Sequence, residues 1–190
     1  MTRVKQRRDA ALPRIGGMAT MPSRAHTLGT ALDSILPQVD RLYVYFDRHD
    51  RVPDFVAEQP KIVPLLPARH GELGADGKFL GVGLVGSPCL YFCFDDDIRY
   101  PLGYVEILAS GLERHRFLAL VGMHATRFIA PHQSYRHHRQ VLHFAAPLDV
   151  DHLADEIGAG TLAFHSGHFS VDPRHWRYHT MSDLILRSLR

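Results

Sequence analysis

The sequence contains only two cysteines, and none of its apolar runs approaches the roughly 18 residues that a membrane-spanning helix requires. Cys89 and Cys93 lie in an apolar run that predicts a β-strand. Four strand residues separate Cα atoms by roughly 13 Å, whereas a disulfide requires about 7 Å or less. We therefore expect two buried thiols in a reducing compartment, which indicates the cytoplasm.

The sequence also lacks an excess of charge, because 22 Lys and Arg residues stand against 20 Asp and Glu, a formal net charge of +2. This balance provides no broad basic surface, so we expect no nucleic-acid partner. Apolar residues make up 45% of the 190 positions, which is typical of a single globular domain and excludes disorder, collagen and coiled coils. Histidine, with 14 residues, is the one excess.

The N-terminal residues 1–13 are predicted to form a basic tail in front of a single domain at 14–190. The first eight positions carry four basic residues: Arg3, Lys5, Arg7 and Arg8. A solvated tail is the first interpretation. Peripheral contact with anionic lipid at the inner face of the membrane is the alternative, worth about 1 kcal/mol per basic residue.

The first fifty residues predict a strand–helix–strand unit. Ile15–Met21 is an apolar run, apolar side chains recur at helical spacing from Leu28 to Leu36, and Leu42–Phe46 is aromatic and aliphatic throughout. This order is typical of an α/β fold. Later strands are predicted at Ile62–Leu66, Cys89–Phe94, Leu118–Met123, Arg127–Ile129, Val141–Ala145 and Leu162–Phe164. Helices are predicted at Lys78–Leu84, after Pro101 and at Met181–Leu189.

Three consecutive carboxylates, Asp95, Asp96 and Asp97, follow the most apolar strand. Carboxylates this close destabilise one another unless a cation neutralises them. Because side chains alternate along extended backbone, Asp95 and Asp97 are predicted to project to one side and form an oxygen-rich site for Mg²⁺ or Mn²⁺. The alternative is a loop that caps the helix near Pro101. On residues alone, a phosphatase, a nuclease and a nucleotide-sugar enzyme all remain open.

The run from Leu90 to Pro101 resembles the DxD segment of GT-A glycosyltransferases of the family 2-like type. Other segments resemble further parts of that family: Gly17–Arg24 its first strand and turn, Leu32–Ile35 and Tyr43–Tyr45 its first helix and second strand, Gly158–Thr161 its glycine loop, and Met181–Asp183 its later acidic motif. The resemblance covers residues 14–186. It implies a single Rossmann-like GT-A domain with a mostly parallel central sheet flanked by helices.

The resemblance implies a metal-dependent glycosyltransferase, inverting rather than retaining, that uses Mn²⁺ or Mg²⁺. The donor would be a nucleoside diphosphate sugar, a UDP-sugar by preference, and the acceptor a hydroxyl of a carbohydrate or glycolipid in surface polysaccharide or glycolipid synthesis. Two alternatives stay open. One is a non-catalytic or partner-dependent nucleotide-sugar-binding subunit, because only seven residues follow Asp183, where the family supplies a further histidine to the metal. The other is a sugar nucleotidyltransferase.

The resemblance also assigns donor-binding and metal-binding residues. Asp95 and Asp97 would hold the metal. Residues expected at the nucleotide are Ala19, Thr20, Met21, Arg24, Asp47, Lys78 and Asp96. Arg24 would complement phosphate at a helix N-terminus. A turn cap for Asp47 and a solvated surface lysine for Lys78 are the alternatives.

For the acceptor side, the resemblance implies that Asp183 is the general base. A carboxylate that only stabilises a helix N-terminus is the alternative. Gly158 and Gly160 would let backbone approach the sugars, although a left-handed turn explains them equally well. His165 ends the strand after this loop, so we expect it near the active site. Other histidines near the C-terminus have metal-ligand spacing, but the aspartates predict the stronger metal site.

Overall fold

The computed structural model describes residues 12–131, 133–179 and 182–183. The basic positions Arg3–Arg8 lie outside the described residues, as does most of the predicted helix Met181–Leu189, in which only Ser182 and Asp183 are described. No helix in the described ranges is both long and apolar enough to span a bilayer.

The strands are β1 (Arg14–Thr20), β2 (Arg41–Phe46), β3 (Ile62–Leu65), β4 (Leu90–Asp95), β5 (Val121–Gly122), β6 (Ala125–Phe128), β7 (Arg139–Leu142), β8 (Glu156–Ile157) and β9 (Leu162–His165). The α-helices are α1 (Ala25–Ile35), α2 (Asp54–Ala57), α3 (Pro67–His70), α4 (Leu80–Leu84) and α5 (Tyr104–Arg114). Short 3₁₀ segments occur at Pro22–Arg24, Leu36–Gln38, Gly74–Phe79 and Pro173–His175.

Six strands form the main sheet in the order β3-β2-β1-β4-β9-β5. β3, β2, β1 and β4 are parallel, whereas β9 runs antiparallel to both β4 and β5. The predicted α/β class, with a mostly parallel sheet flanked by helices, is confirmed. This topology is compatible with a Rossmann-like fold.

The sheet is buried on both faces, as the continuous apolar strands predict. On one face, α1 and α5 pack against Met18, Val44 and Phe92. The opposite face packs Tyr43, Tyr91 and other side chains against the Gly74–Phe79 segment and α4. The two cysteines are buried and free, which confirms the sequence prediction.

A smaller antiparallel sheet, in the order β7-β6-β8, follows β5. The weak pattern at 124–143 predicts two strands there, and β6 and β7 are found close to those positions. The strand predicted at Leu118–Met123 is reduced to β5, and Leu118 itself is exposed. β8 has only two residues, too few for an apolar pattern to reveal.

Candidate active site

The carboxyl ends of β1, β2 and β4 meet at one edge of the main sheet. The strand register aligns Ala19 with both Tyr45 and Asp95. A cavity of about 230 Å³ opens at this edge, and we refer to it as the first cavity. It is lined by Ala19, Thr20, Met21, Arg24, Asp47, Gly74, Ala75, Lys78, Asp95, Asp96 and Asp97. The structure therefore brings together all the residues expected at the nucleotide and the metal.

The acidic triplet is arranged differently from the strand geometry that the sequence suggested. β4 ends at Asp95, and Asp96 and Asp97 lie in a turn, so alternation along a strand does not relate Asp95 to Asp97. Instead, each of these two carboxylates meets a cation: Asp95 pairs with Lys78, and Asp97 pairs with Arg24. The triplet presents its carboxylates to the first cavity from a strand end and a turn.

The lining of the first cavity carries excess negative charge. Four carboxylates face two cations, which leaves a formal charge of −2 when all are ionised. Burial raises the pKa of Asp96, and its contacts with Thr20 and Arg24 oppose that shift. A dianionic lining disfavours a phosphate ligand unless a further cation enters with it. The donor set, all carboxylate oxygen, suits Mg²⁺ or Mn²⁺.

No three His, Cys, Asp or Glu side chains in the described part of the chain are grouped closely enough to hold a metal ion by themselves. Hard divalent cations often complete their coordination with substrate phosphates and water. The residues present therefore fit a cation that enters with a phosphate ligand better than a permanently bound one.

Lys78 is buried, with 5% of its side chain exposed, so the alternative of a solvated surface lysine is wrong. Its position is fixed by close packing of the Gly74–Phe79 segment. The Tyr91 hydroxyl donates to the Lys78 carbonyl at 2.7 Å, and a Cβ on Gly77 would collide with the Tyr45 ring. A Cβ on Gly17 would collide with the Lys78 carbonyl as well.

The glycine loop touches the acidic triplet directly. A Cβ on Gly160 would collide with the Asp95 carboxylate, and Gly160 has no positive φ, so close approach explains this glycine and a left-handed turn does not. The Tyr100 hydroxyl links the same two elements, because it accepts from the Asp95 N–H at 2.8 Å and donates to the Gly160 carbonyl at 2.6 Å. Sequence reasoning missed this role of Tyr100, since only the tertiary structure joins these residues.

A second cavity, of about 330 Å³, adjoins the first, and Lys78 and Asp95 belong to the lining of both. The second cavity is lined by Lys78, Asp95, Ile98, His124, Phe144, Gly158, Ala159, Gly160, Thr161, Ser182 and Asp183. The expected base and the expected glycine loop are therefore in one place, beside the triplet.

Asp183 is held by the glycine loop, since the Ala159 N–H donates to its Oδ1 at 2.8 Å. Burial raises the pKa of Asp183, while this hydrogen bond and the charge of Lys78 act in the opposite direction. A carboxyl with a raised pKa is better matched to accepting a proton near neutral pH.

His124 is a second-cavity residue that sequence reasoning did not single out. Its N–H donates to Thr161 Oγ1 at 3.0 Å, and its carbonyl accepts from the Gly158 N–H at 2.8 Å. A Cβ on Gly158 would lie 3.2 Å from the imidazole, so the ring packs directly on this loop. Burial, and then the nearby His143, lower the pKa of His124. Nothing in the sequence distinguishes this histidine from its many neighbours.

The expectation for His165 is corrected by the direction of β9. Because β9 is antiparallel to β4, His165 is paired with Leu90, at the start of β4, whereas the triplet follows the end of that strand. The His165 ring packs against Phe117 and His168 and lines neither cavity. The sequence predicts that a strand follows the glycine loop, but it does not show that this strand runs away from the site.

Asp47 is buried beside the first cavity, 5% exposed, and its N–H donates to the Thr20 carbonyl at 2.8 Å. The Arg48 guanidinium lies 3.5 Å from its carboxylate. Asp47 therefore offers a carboxylate to the cavity on the side opposite the triplet's strand, where β2 ends.

A scan against models of known protein families finds no match to the chain. A search of curated protein sequences finds no significant relative. The function must therefore be inferred from the residues and their arrangement.

Proposed function

We propose that this protein is a divalent-cation-dependent glycosyltransferase with a GT-A-like domain. It would transfer a sugar from a nucleoside diphosphate sugar, by preference a UDP-sugar, to a hydroxyl acceptor. The observation that carries the proposal is the pair of adjoining cavities that share Lys78 and Asp95. One cavity offers carboxylates and cations at strand ends, and the other offers a carboxyl base.

The first cavity would hold the nucleoside diphosphate. In open α/β sheets, ligands bind outside the carboxyl ends of the strands. Asp47 and the Ala19–Met21 backbone would contact the base and ribose, while Arg24 and Lys78 would meet phosphate oxygens. Asp97, with Asp95 beside it, would hold Mn²⁺ or Mg²⁺, which supplies stabilisation of the charge on the departing diphosphate.

The second cavity would hold the acceptor, with Asp183 as the general base. An alcohol is a poor nucleophile at neutral pH, so a positioned carboxylate assists by taking its proton as it attacks. The Ala159 N–H fixes one oxygen of Asp183 and leaves the other to accept that proton. We propose inversion, because a carboxylate that takes the acceptor's proton assists a single direct displacement at the sugar carbon.

The second cavity combines polar groups with the apolar side chains of Ile98 and Phe144. Such a lining suits a carbohydrate ring, which has apolar faces and polar edges, either free or as a glycolipid headgroup. We further propose a cytoplasmic protein that acts in surface polysaccharide or glycolipid assembly.

The test is an assay of nucleoside diphosphate release from a panel of nucleotide sugars, with Mn²⁺ and with EDTA. The proposal predicts that one nucleotide sugar releases its nucleoside diphosphate with Mn²⁺ but not with EDTA. Asp97→Asn and Asp183→Asn should abolish this release. The control is Asp33→Asn, an exposed carboxylate on α1. Pyrophosphate release from a nucleoside triphosphate and a sugar phosphate would instead identify a nucleotidyltransferase.

A nucleotide-sugar-binding subunit that needs a partner for turnover is the second candidate. It is favoured by the ion pairs that already neutralise Asp95 and Asp97 within the chain. Cation-dependent binding of a nucleotide sugar by the purified chain, without turnover in any acceptor mixture, would support this candidate.

A further inference from the structure

The two cations of the first cavity differ in how firmly they are held. Lys78 is 5% exposed and belongs to a segment locked by Tyr91 and Tyr45. Arg24 is 45% exposed and ends the short 3₁₀ segment before α1. An exposed arginine can change partner by rotating its side chain alone, whereas a buried lysine cannot leave its partner without repacking.

Asp95 and Asp97, the carboxylates paired with these two cations, also differ in how firmly they are held. Asp95 is confined by Lys78 and by Gly160, and its N–H is bonded to the Tyr100 hydroxyl. Asp97 lies in a turn, with 39% of its side chain exposed, and Arg24 is its ion-pair partner. Asp97 is therefore the carboxylate whose partner can be exchanged.

We propose that Arg24 is an exchangeable counter-cation that stays paired with Asp97 until a diphosphate binds. This inference rests on the proposed function. Without a ligand, the Arg24 guanidinium neutralises Asp97 and competes with a divalent cation for it. When a diphosphate enters with the metal, Arg24 moves to phosphate oxygens, for which its planar fork of donors is well suited, and Asp97 becomes free for the metal.

The exchange couples metal binding to diphosphate binding. Free metal must displace Arg24 from Asp97 and then remain close to its positive charge. A metal that arrives with a diphosphate provides Arg24 with a new anionic partner, so this cost disappears. The site would then bind free Mn²⁺ weakly and bind Mn²⁺ with a diphosphate tightly, which leaves the carboxylates unoccupied by metal until a donor is present.

The experiment measures Mn²⁺ binding by electron paramagnetic resonance of the free ion, with and without inorganic pyrophosphate. In Arg24→Gln, we expect free Mn²⁺ to bind about fivefold more tightly, because an opposing positive charge is removed. We expect pyrophosphate, at saturating Mn²⁺, to bind this variant about tenfold more weakly, because a charge-assisted contact is lost. Arg24→Lys should retain the weak binding of free Mn²⁺.

Arg14→Gln is the matched control. Arg14 is also a partly exposed arginine in an ion pair, with Glu106, but it lies at the start of β1, the opposite end of that strand from the site. Its replacement should change neither affinity, and Asp97→Asn should abolish Mn²⁺ binding in both the wild-type and Arg24→Gln backgrounds.

Free Mn²⁺ binding that is unchanged or weaker in Arg24→Gln would overturn the exchange, even if Mn²⁺ and pyrophosphate bind together to the wild type. In that case the proposed function would stand. Failure of the wild type to bind pyrophosphate at any Mn²⁺ concentration would instead reject the proposed function, and the exchange with it.

Discussion

At the scale of single residues, the site depends on close fits that leave no room for larger groups. Gly160 lies so near the Asp95 carboxylate that any side chain there would displace it. Asp183 is partly buried, which raises its pKa, whereas the Ala159 N–H that holds its carboxylate acts in the opposite direction. At both positions a carboxylate oxygen is held at the edge of a cavity, at a cost in conformational freedom or in stability.

Gly160→Ala should displace the Asp95 carboxylate and weaken binding of Mn²⁺ with UDP by about tenfold or more, because small misplacements in such sites are costly. Gly29→Ala is the control, since no atom lies within 4 Å of a Cβ built there and the position is inside α1. That change should leave binding unaltered and raise the free energy of unfolding by about 0.5–1 kcal/mol. Calorimetric titration measures the binding and chemical denaturation the free energy of unfolding. If Gly160→Ala bound Mn²⁺ with UDP as tightly as the wild type, the close contact between Gly160 and Asp95 would not matter for binding.

Asp183→Asn should raise the thermal stability of the protein at neutral pH relative to the wild type. Because burial raises the pKa of Asp183 in the folded state, the folded protein holds this proton more tightly than the unfolded chain. The wild type therefore loses stability as the pH rises from the pKa of Asp183 in the unfolded chain through its higher pKa in the folded protein. Asparagine does not titrate, so the variant has no such loss. Melting temperatures of both proteins across that range should diverge as pH increases, and a constant gap would show that Asp183 has no raised pKa.

At the scale of elements, the site depends on which strand ends meet and on what links them. Apolar runs alone predict β1, β2, β3 and β4 nearly to the residue, because buried parallel strands are continuously apolar. The direction of β9 is not readable in this way, since four apolar residues look the same in either direction. That ambiguity is why the sequence predicts His165 near the site, although it lies beside the start of β4.

The contacts between elements were also beyond sequence reasoning. The nucleotide-side residues Asp47 and Lys78 are predicted by the resemblance to GT-A glycosyltransferases and by no pattern of contacts. Pairing Arg24 with Asp97, or Tyr100 with Gly160, requires knowing how a turn and a distant loop pack. The same is true of His124, which reaches the site because β5 and β9 are neighbours.

Tyr100→Phe should lower the free energy of unfolding by about 1–3 kcal/mol, because it leaves the Asp95 N–H and the Gly160 carbonyl without their partner. Tyr104→Phe is a matched control on the same face of the sheet. The buried Tyr104 hydroxyl has no hydrogen-bond partner among the described residues, so its removal should cost nothing or stabilise the fold slightly. Urea denaturation of both variants checks the contrast, and equal losses would contradict the bridging role of Tyr100.

At the scale of the whole molecule, charge is concentrated where the chain as a whole is almost neutral. The chain carries a formal net charge of +2, while the lining of the first cavity carries −2. The composition gave no hint of this site, and the excess of histidine did not lead to it. The indication of the site is the run of three aspartates at the end of one strand, to which the fold adds two cations.

The central claim is that this edge of the sheet binds a nucleoside diphosphate only together with a divalent cation. A thermal-shift panel of UDP, GDP and CDP, each with Mn²⁺ and with EDTA, tests it most directly, because a ligand raises stability by RT ln(1 + [L]/Kd). We predict that one nucleotide, UDP by preference, raises the melting temperature with Mn²⁺ but not with EDTA, and that Asp97→Asn abolishes this shift. No shift with any nucleotide, or an equal shift in EDTA or in Asp97→Asn, would contradict the claim.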